Sequence, residues 1–480
     1  MTRNVLAKQS INIEKLNKDI ELFPQVTPIT KNMTKSFDGV SKLVMLDRYS
    51  FKDTEKKTLA VGDYVVLTIK EDPKFPARGT GFIKELDLVN NIAYVKIEEE
   101  FHSVLDEDVK DGVIKKSINA IDKPLEIFYE QVAYRNARAL ADVEVTEEQK
   151  EKSFKDFYKV LSNTDFVPAG RVLYGAGADS QTTFFNCYVM PFIQDSREGL
   201  AEHRKTVMEI MSRGGGVGTN GSTLRPRNTL AKGVNGKSSG AVSWLDDIAK
   251  LTHLVEQGGS RRGAQMIMLN VNFPDIVEFI ISKMQNPQIL RFLLENMEDE
   301  QIKQMAKEKL KFVPLTQVER NLYEGVLNSE EGVFTQEVVE EARTKLADGG
   351  HYSVHNPEFL TGANISVCIT SDFMEAVENG SDFELKFPDI DNYDEEEKAI
   401  YNAEWHKVGD VREWEKLGHK VRVHRKIKAS ELWNLINICA TYAAEPGIFF
   451  IDNANKMTNA KSYGQQVVAT NPCGKVFASR

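Results

Sequence analysis

The sequence has few cysteines, no excess of basic residues and no long apolar run. Its 480 residues include only four cysteines, too few for a disulfide framework, and none of them belongs to a CxxC zinc pair. The net charge of −10 argues against a protein that coats nucleic acid. No apolar run reaches membrane-spanning length, and the N-terminus lacks a signal-peptide core. These absences predict a cytoplasmic protein with neither a nucleic acid nor a membrane as partner.

The histidine pattern does not indicate a metal site. His351 and His355 have helical spacing, but no carboxylate or thiol motif accompanies them. We therefore predict a surface or packing role for both, and no metal-binding residues in the chain.

The apolar pattern divides the chain into several regions. With 41% apolar residues, a chain of 480 residues can bury a sizeable core and form more than one domain. Alternating apolar residues at 61–69, 81–89 and 92–97, with a turn at Asn90-Asn91, predict a small SH3-like β-barrel. Helical spacing follows from Leu125 to Leu161. We expect an N-terminal arm (1–55), the β-barrel module (56–116), a helical region (117–165), an α/β domain (166–474) and a tail (475–480).

Beyond residue 165, short apolar strands alternate with helical stretches. Examples are the strands at 366–369 and 447–451 and the helix at 431–444. Such alternation implies an α/β barrel or a doubly wound sheet. Periodicity alone leaves both open.

One cysteine stands in a distinctive local setting, the stretch Asn471-Pro472-Cys473-Gly474. A proline before the cysteine and a glycine after it favour an exposed turn, which is how a reactive sulfur is displayed. A lone cysteine is nevertheless more often a small core hydrophobe. The interpretation of Cys473 therefore depends on the rest of the sequence.

Several separated motifs supply that context. They are 166–171 (Phe-Val-Pro-Ala-Gly-Arg), 185–189 (Phe-Asn-Cys-Tyr-Val), the glycine cluster 214–218 running to 224–227, 260–265 (Ser-Arg-Arg-Gly-Ala-Gln), 444–452 and the Asn-Pro-Cys-Gly turn. In this order, from about residue 120 to 474, they resemble the catalytic subunit of ribonucleotide reductases. The residues within the motifs are similar to those of the adenosylcobalamin-dependent class II branch. The resemblance implies a ten-stranded α/β barrel with the Cys473 loop at its centre.

The resemblance implies roles for individual residues. Cys473 takes the position of the thiyl radical that abstracts the ribose 3′-hydrogen, and Asn471 that of the asparagine that binds the sugar hydroxyls. Cys187 corresponds to the first of two reducing cysteines, while Asn186 and Gly216 occupy substrate-contact positions. The implied cofactors are adenosylcobalamin and an external dithiol such as thioredoxin. Cys368 and Cys439 lie outside these motifs, and we interpret both as buried packing thiols.

The resemblance also implies allosteric control by a deoxynucleoside or adenosine triphosphate at a homodimer interface. Asp195, Arg225 and Lys232 match the effector contacts, a carboxylate for the ribose and cations for the phosphates. The specificity loop, which relays effector identity to the substrate base, corresponds to Ser260, Arg261, Arg262, Gly263, Ala264 and Gln265.

The sequence departs from the family after Gly474. The family has a glutamate as general base two residues after the radical cysteine, whereas this chain has Lys475, and a protonated lysine cannot take a proton. We therefore expect an N-terminal reductase part, truncated or split, that needs a further C-terminal part or a second polypeptide for full activity, with ribonucleoside diphosphates as the favoured substrates. Two alternatives stay open, a class I large subunit served by a separate radical-generating protein and an inactive nucleotide-binding remnant.

Overall fold

The computed structural model describes residues 11–72, 76–106, 109–178, 182–231, 236–255, 263–330 and 332–474. The chain divides into two compact units, residues 1–186 and 187–480. Each unit has its own sheet and its own buried core.

The first unit contains a five-stranded antiparallel sheet with the order β4-β3-β2-β1-β5. Its strands are Tyr64–Lys70 (β1), Ala77–Asp87 (β2), Ile92–Ile97 (β3), Val113–Ser117 (β4) and Ile121–Asp122 (β5). The predicted hairpin is present between β2 and β3, with Asn91 at a φ of 56° in its turn. Strand β5 lies beyond residue 116, the predicted end of the β-barrel module. It nevertheless pairs with β1, because Ile121 completes the core formed by Val65, Leu67 and Val95.

The helices of the first unit pack on a separate apolar cluster that includes Val132, Ala133 and Phe154. Helix α4 (Glu147–Ser162) begins after Thr146, because Thr146 and Gln149 form a capping box that satisfies free amide groups at the first turn. The helices are Ile13–Ile20 (α1), Gly39–Val44 (α2), Tyr129–Ala141 (α3), Glu147–Ser162 (α4) and Gly170–Gly175 (α5).

The second unit is built on a five-stranded sheet in which every neighbouring pair is parallel. Its strands follow one another in chain order: Cys187–Val189 (β6), Gly216–Asn220 (β7), Gln265–Asn270 (β10), Asn364–Ile369 (β13) and Gly447–Phe450 (β16). A doubly wound sheet reverses its strand order, and this sheet does not. The arrangement confirms the predicted α/β class and is the half-barrel expected for part of the ten-stranded barrel that the resemblance implies.

Helices and short ribbons connect the parallel strands. The ribbons pair Leu230–Ala231 (β8) with Gly236–Lys237 (β9), Leu310–Pro314 (β11) with Gly350–Val354 (β12), and Asp382–Pro388 (β14) with Val421–Lys428 (β15). The helices are Arg197–Ser212 (α6), Ala241–Leu254 (α7), Ile276–Ile281 (α8), Pro287–Asn296 (α9), Glu300–Lys309 (α10), Gln317–Leu327 (α11), Gln336–Asp348 (α12), Ser371–Asn379 (α13), Glu395–Val408 (α14), Val411–Lys416 (α15), Ala429–Ala443 (α16) and Ile451–Met457 (α17). Across the described residues, no helix is long and apolar enough to cross a membrane.

Candidate active site

The glycines of β7 let another part of the chain approach the sheet closely. A methyl group at Gly218 would lie 1.8 Å from the carbonyl oxygen of Thr470, and one at Gly216 would lie 3.1 Å from Cγ of Pro472. The backbone of the segment before Cys473 therefore rests directly on this strand. Any side chain larger than hydrogen would keep it away.

Two asparagines, the buried Asn220 and the half-buried Asn455, hold residues 467–471, which we call the cysteine segment. The Asn220 side chain donates a hydrogen bond of 2.8 Å to the carbonyl of Val468. Asn455 donates to the carbonyl of Val467 at 3.0 Å and accepts from its amide at 2.8 Å. These bonds satisfy backbone groups that would otherwise be buried without partners, so they fix the position of the segment.

Apolar packing adds to this anchoring. Val468 and Ala469 are buried in a cluster with Met266, Met268 and Cys368. The Thr470 amide also points to the sulfur of Met268, at 3.2 Å. The cysteine segment is thus part of the inner face of the half-barrel up to its last residue.

Cys473 is exposed on the turn that follows the cysteine segment, as the flanking proline and glycine predict. The turn closes through a hydrogen bond of 3.0 Å from the Gly474 amide to the Asn471 carbonyl. Asn471 itself is only 3% exposed. The turn therefore presents the sulfur outward while the amide side chain stays inside.

Cys187 lies next to this turn. It is opposite Gly216 in the β6–β7 register, and its sulfur would be 3.3 Å from a methyl group at Gly216. Burial and the neighbouring Cys473 thiol raise the pKa of Cys187, while contact with the Asn471 side chain partly offsets this rise. Three of the predicted catalytic residues are therefore brought together, and Cys187 is held in its protonated thiol form at neutral pH.

The other two cysteines are fully buried, which confirms the packing role predicted for them. Burial raises the pKa of the Cys439 thiol to about 12, and it raises that of Cys368 as well. Neither thiol is accessible for chemistry in the folded protein.

The predicted effector residues form an internal pair. The Arg225 side chain donates to the Asp195 carboxylate at 2.9 Å, and the hydroxyl of Tyr401 donates to the same oxygen at 2.8 Å. The Asp195 side chain is only 7% exposed and that of Arg225 30% exposed. Lys232, the third predicted contact, lies outside the described residues.

The specificity loop is described only at its end, since Ser260, Arg261 and Arg262 lie outside the described residues. Beyond Gly263, the Ala264 carbonyl accepts a hydrogen bond of 2.9 Å from the Val217 amide and lies 3.3 Å from the methyl position of Gly216. The Gln265 side chain donates to Ile248 and Thr252, each at 2.8 Å. The end of this loop is therefore fixed against the glycine strand that also carries the cysteine segment.

Asn186, a predicted substrate contact, is exposed immediately before Cys187. Asn220, Asn455 and Tyr401 were not predicted from the sequence. Asn220 could have been found, because it continues the alternation of Gly216 and Gly218 along one face of β7. Asn455 and Tyr401 carry no such local signal.

No group of three or more His, Cys, Asp or Glu residues suited to a metal ion is present among the residues that the structure describes. Adenosylcobalamin, implied by the family resemblance, would supply a radical to a cysteine. The exposed sulfur of Cys473 fits that requirement, because a bulky donor can only reach a sulfur that is not enclosed.

Comparison with known families matches residues 185–479 to "Ribonucleotide reductase, barrel domain" and residues 118–181 to "Ribonucleotide reductase, all-alpha domain". A vitamin B12-dependent ribonucleoside-diphosphate reductase of Thermoplasma acidophilum is 27% identical over 66% of this chain. Another protein with this name, from Mycobacterium tuberculosis, is 24% identical over 71% of the chain. A ribonucleoside-diphosphate reductase large chain of Neurospora crassa is 32% identical over 26% of the chain.

The chain spans only part of these relatives. The matched region covers 28% of the Thermoplasma protein, 35% of the Mycobacterium protein and 13% of the Neurospora protein.

Proposed function

The chain belongs to the ribonucleotide reductase family, and from this premise we propose that it contributes the radical-cysteine half of the barrel in an adenosylcobalamin-dependent reductase of ribonucleoside diphosphates. The observation that carries the proposal is the meeting of Cys187, Asn471 and Cys473 over the glycines of β7. The B12-dependent relatives support the choice of cofactor and of diphosphate substrates.

The three residues have complementary chemistry for removing a ribose 2′-hydroxyl. A thiyl radical on Cys473 takes the 3′-hydrogen of the sugar, which allows the 2′-hydroxyl to leave as water, and the same sulfur later returns the hydrogen. Asn471 can donate to one sugar hydroxyl and accept from the other. Cys187 supplies one hydrogen toward the two-electron reduction, and the second comes from another thiol of the complete enzyme.

Burial of Cys187 is useful in this reaction. Its raised pKa keeps the sulfur protonated, so that it can give a hydrogen atom to the substrate radical. Cys473, by contrast, must be exposed, because its sulfur must meet both the radical donor and the substrate.

For regulation we assign a triphosphate effector to Arg225 and Lys232, with Asp195 as a positioning residue. Asp195 already accepts hydrogen bonds from Arg225 and Tyr401, so its role is to orient the guanidinium rather than to bind ribose. The exposed portion of the Arg225 side chain remains available for a phosphate.

The test is reduction of radiolabelled CDP and CTP by the purified chain with adenosylcobalamin and thioredoxin, alone and with any polypeptide encoded immediately downstream. Cys473→Ser and Cys187→Ser should abolish turnover, and Cys439→Ala should retain it. Effector binding without turnover under any of these conditions would reject the proposal in favour of a nucleotide-binding remnant.

The match to a large chain supports a second candidate, a class I large subunit. Such a protein would be active without adenosylcobalamin once a radical-generating small subunit is added. Cobalamin-independent turnover would therefore select the class I alternative.

A further inference from the structure

Two reduced thiols from different elements of the second unit meet at one glycine. Strand β6 places the Cys187 sulfur 3.3 Å from the methyl position of Gly216, and Pro472, the residue before Cys473, packs 3.1 Å from the same position. The Cys473 thiol also raises the pKa of Cys187, as only a close neighbour does. We propose that Cys187 and Cys473 form a reversible intramolecular disulfide when the protein reacts with a peroxide, and that this modification inactivates the candidate active site.

The exposure of the four cysteines makes the pairing selective. Cys473 is exposed and reacts first, while Cys187 is half-buried beside it and acts second. Cys368 and Cys439 are fully buried and do not compete. Of the four thiols, the oxidant therefore meets one that is exposed, with one other thiol beside it.

The reaction balances with peroxide as the two-electron oxidant. The Cys473 sulfur attacks one peroxide oxygen, the O–O bond breaks, and a sulfenic acid and one water form. The Cys187 sulfur then attacks the sulfenic sulfur, which releases the oxygen as a second water and forms the S–S bond. Two thiol hydrogens and two electrons leave the protein, and a dithiol returns them.

The anchoring of the two partners favours this bond. The cysteine segment is fixed up to Asn471 by Asn220 and Asn455, and Cys187 is fixed in β6. Cys473 follows Asn471 on an exposed turn, and rotation of its side chain there can bring the two sulfurs to a bond length of about 2 Å.

This inference goes beyond the proposed function, because both sulfurs would be consumed and neither could then transfer hydrogen. It would protect an exposed radical cysteine from irreversible oxidation to sulfinic acid. A pair that merely packs together would not show this chemistry.

The experiment starts from the fully reduced 480-residue chain, treated with hydrogen peroxide and then blocked with N-ethylmaleimide. We expect an intact mass lower by about 2 Da before the blocking groups are counted, and a non-reducing digest that joins the peptides of Cys187 and Cys473. Dithiothreitol should release them. The linked fraction should not depend on protein concentration, because the bond is intramolecular.

Variants make the assignment specific. Cys187→Ser and Cys473→Ser should each remove the linked peptide, whereas Cys439→Ala should leave it unchanged. Accumulation of sulfinic acid on Cys473 with Cys187 still free, or a Cys473–Cys473 dimer, would overturn the inference. Peptide mapping needs no turnover, so a linked pair in a chain without reductase activity would reject only the proposed function.

Discussion

Replacing Gly218 by alanine should displace the cysteine segment from the half-barrel. The new methyl group would lie 1.8 Å from the Thr470 carbonyl oxygen and 2.7 Å from the carbonyl carbon. Carbon and oxygen in contact stand about 3.3 Å apart, so the segment must move by roughly 1.5 Å. Both clashing atoms belong to the backbone, and no side-chain rotation can relieve the conflict.

The magnitude follows from what the movement breaks. Overpacking of a tight core costs about 1–3 kcal/mol, and loss of the hydrogen bond from Asn220 to Val468 adds about 1 kcal/mol. We therefore expect Gly218→Ala to lower the free energy of unfolding by about 2–4 kcal/mol. A shift of this size in the proposed radical cysteine, Cys473, should also reduce turnover by about 100-fold.

Urea denaturation measures the stability change, and the yield of the Cys187–Cys473 disulfide reports the position of the turn. Gly325→Ala is the matched control, since nothing lies within 4 Å of its methyl position on helix α11. Alanine there should be neutral or stabilise by up to about 1 kcal/mol. If Gly218→Ala kept wild-type stability and wild-type disulfide yield, the close approach at β7 would be wrong.

Four further predictions concern charge and reactivity in the second unit. Burial raises the pKa of Asp275 to about 6, so its contribution to stability falls as pH rises from about 4 to 6. Over that interval, urea titrations should show the free energy of unfolding of Asp275→Asn rising by about 3 kcal/mol relative to wild type. Burial lowers the pKa of the His203 imidazole to about 4, so its contribution to stability is lost as pH falls from about 6.5 to 4. The free energy of unfolding of His203→Gln should therefore rise relative to wild type on acidification. If the curves of Asp275→Asn and His203→Gln against pH ran parallel, both assignments would be contradicted. Asp195→Asn should destabilise by about 1–3 kcal/mol in the same assay, because the variant removes a nearly buried charge with two hydrogen-bonded partners, and an unchanged midpoint would show that the pair is only incidental. In a brief pulse of N-ethylmaleimide analysed by mass spectrometry, Cys473 should be labelled first and Cys439 only after unfolding, and early labelling of Cys439 would show that its site opens readily.

The sequence by itself predicted the features that depend on neighbouring residues. Period-two alternation predicted the hairpin of β2 and β3, because side chains alternate between the two faces of a strand. Proline and glycine around Cys473 predicted its exposed turn, since these residues restrict or permit specific backbone angles. The alternation of strands and helices predicted the α/β class, but not the strand order.

Only the tertiary structure decided which distant residues meet. Gly218 accommodates the Thr470 backbone, and Tyr401 completes the Asp195–Arg225 pair from 206 positions away in the chain. The order of the parallel strands brings these groups together, and each local stretch has the same periodicity whichever partner it meets. The glycines of β7 could be recognised as places of close approach from the sequence, but the backbone that approaches them is determined by packing across the whole half-barrel.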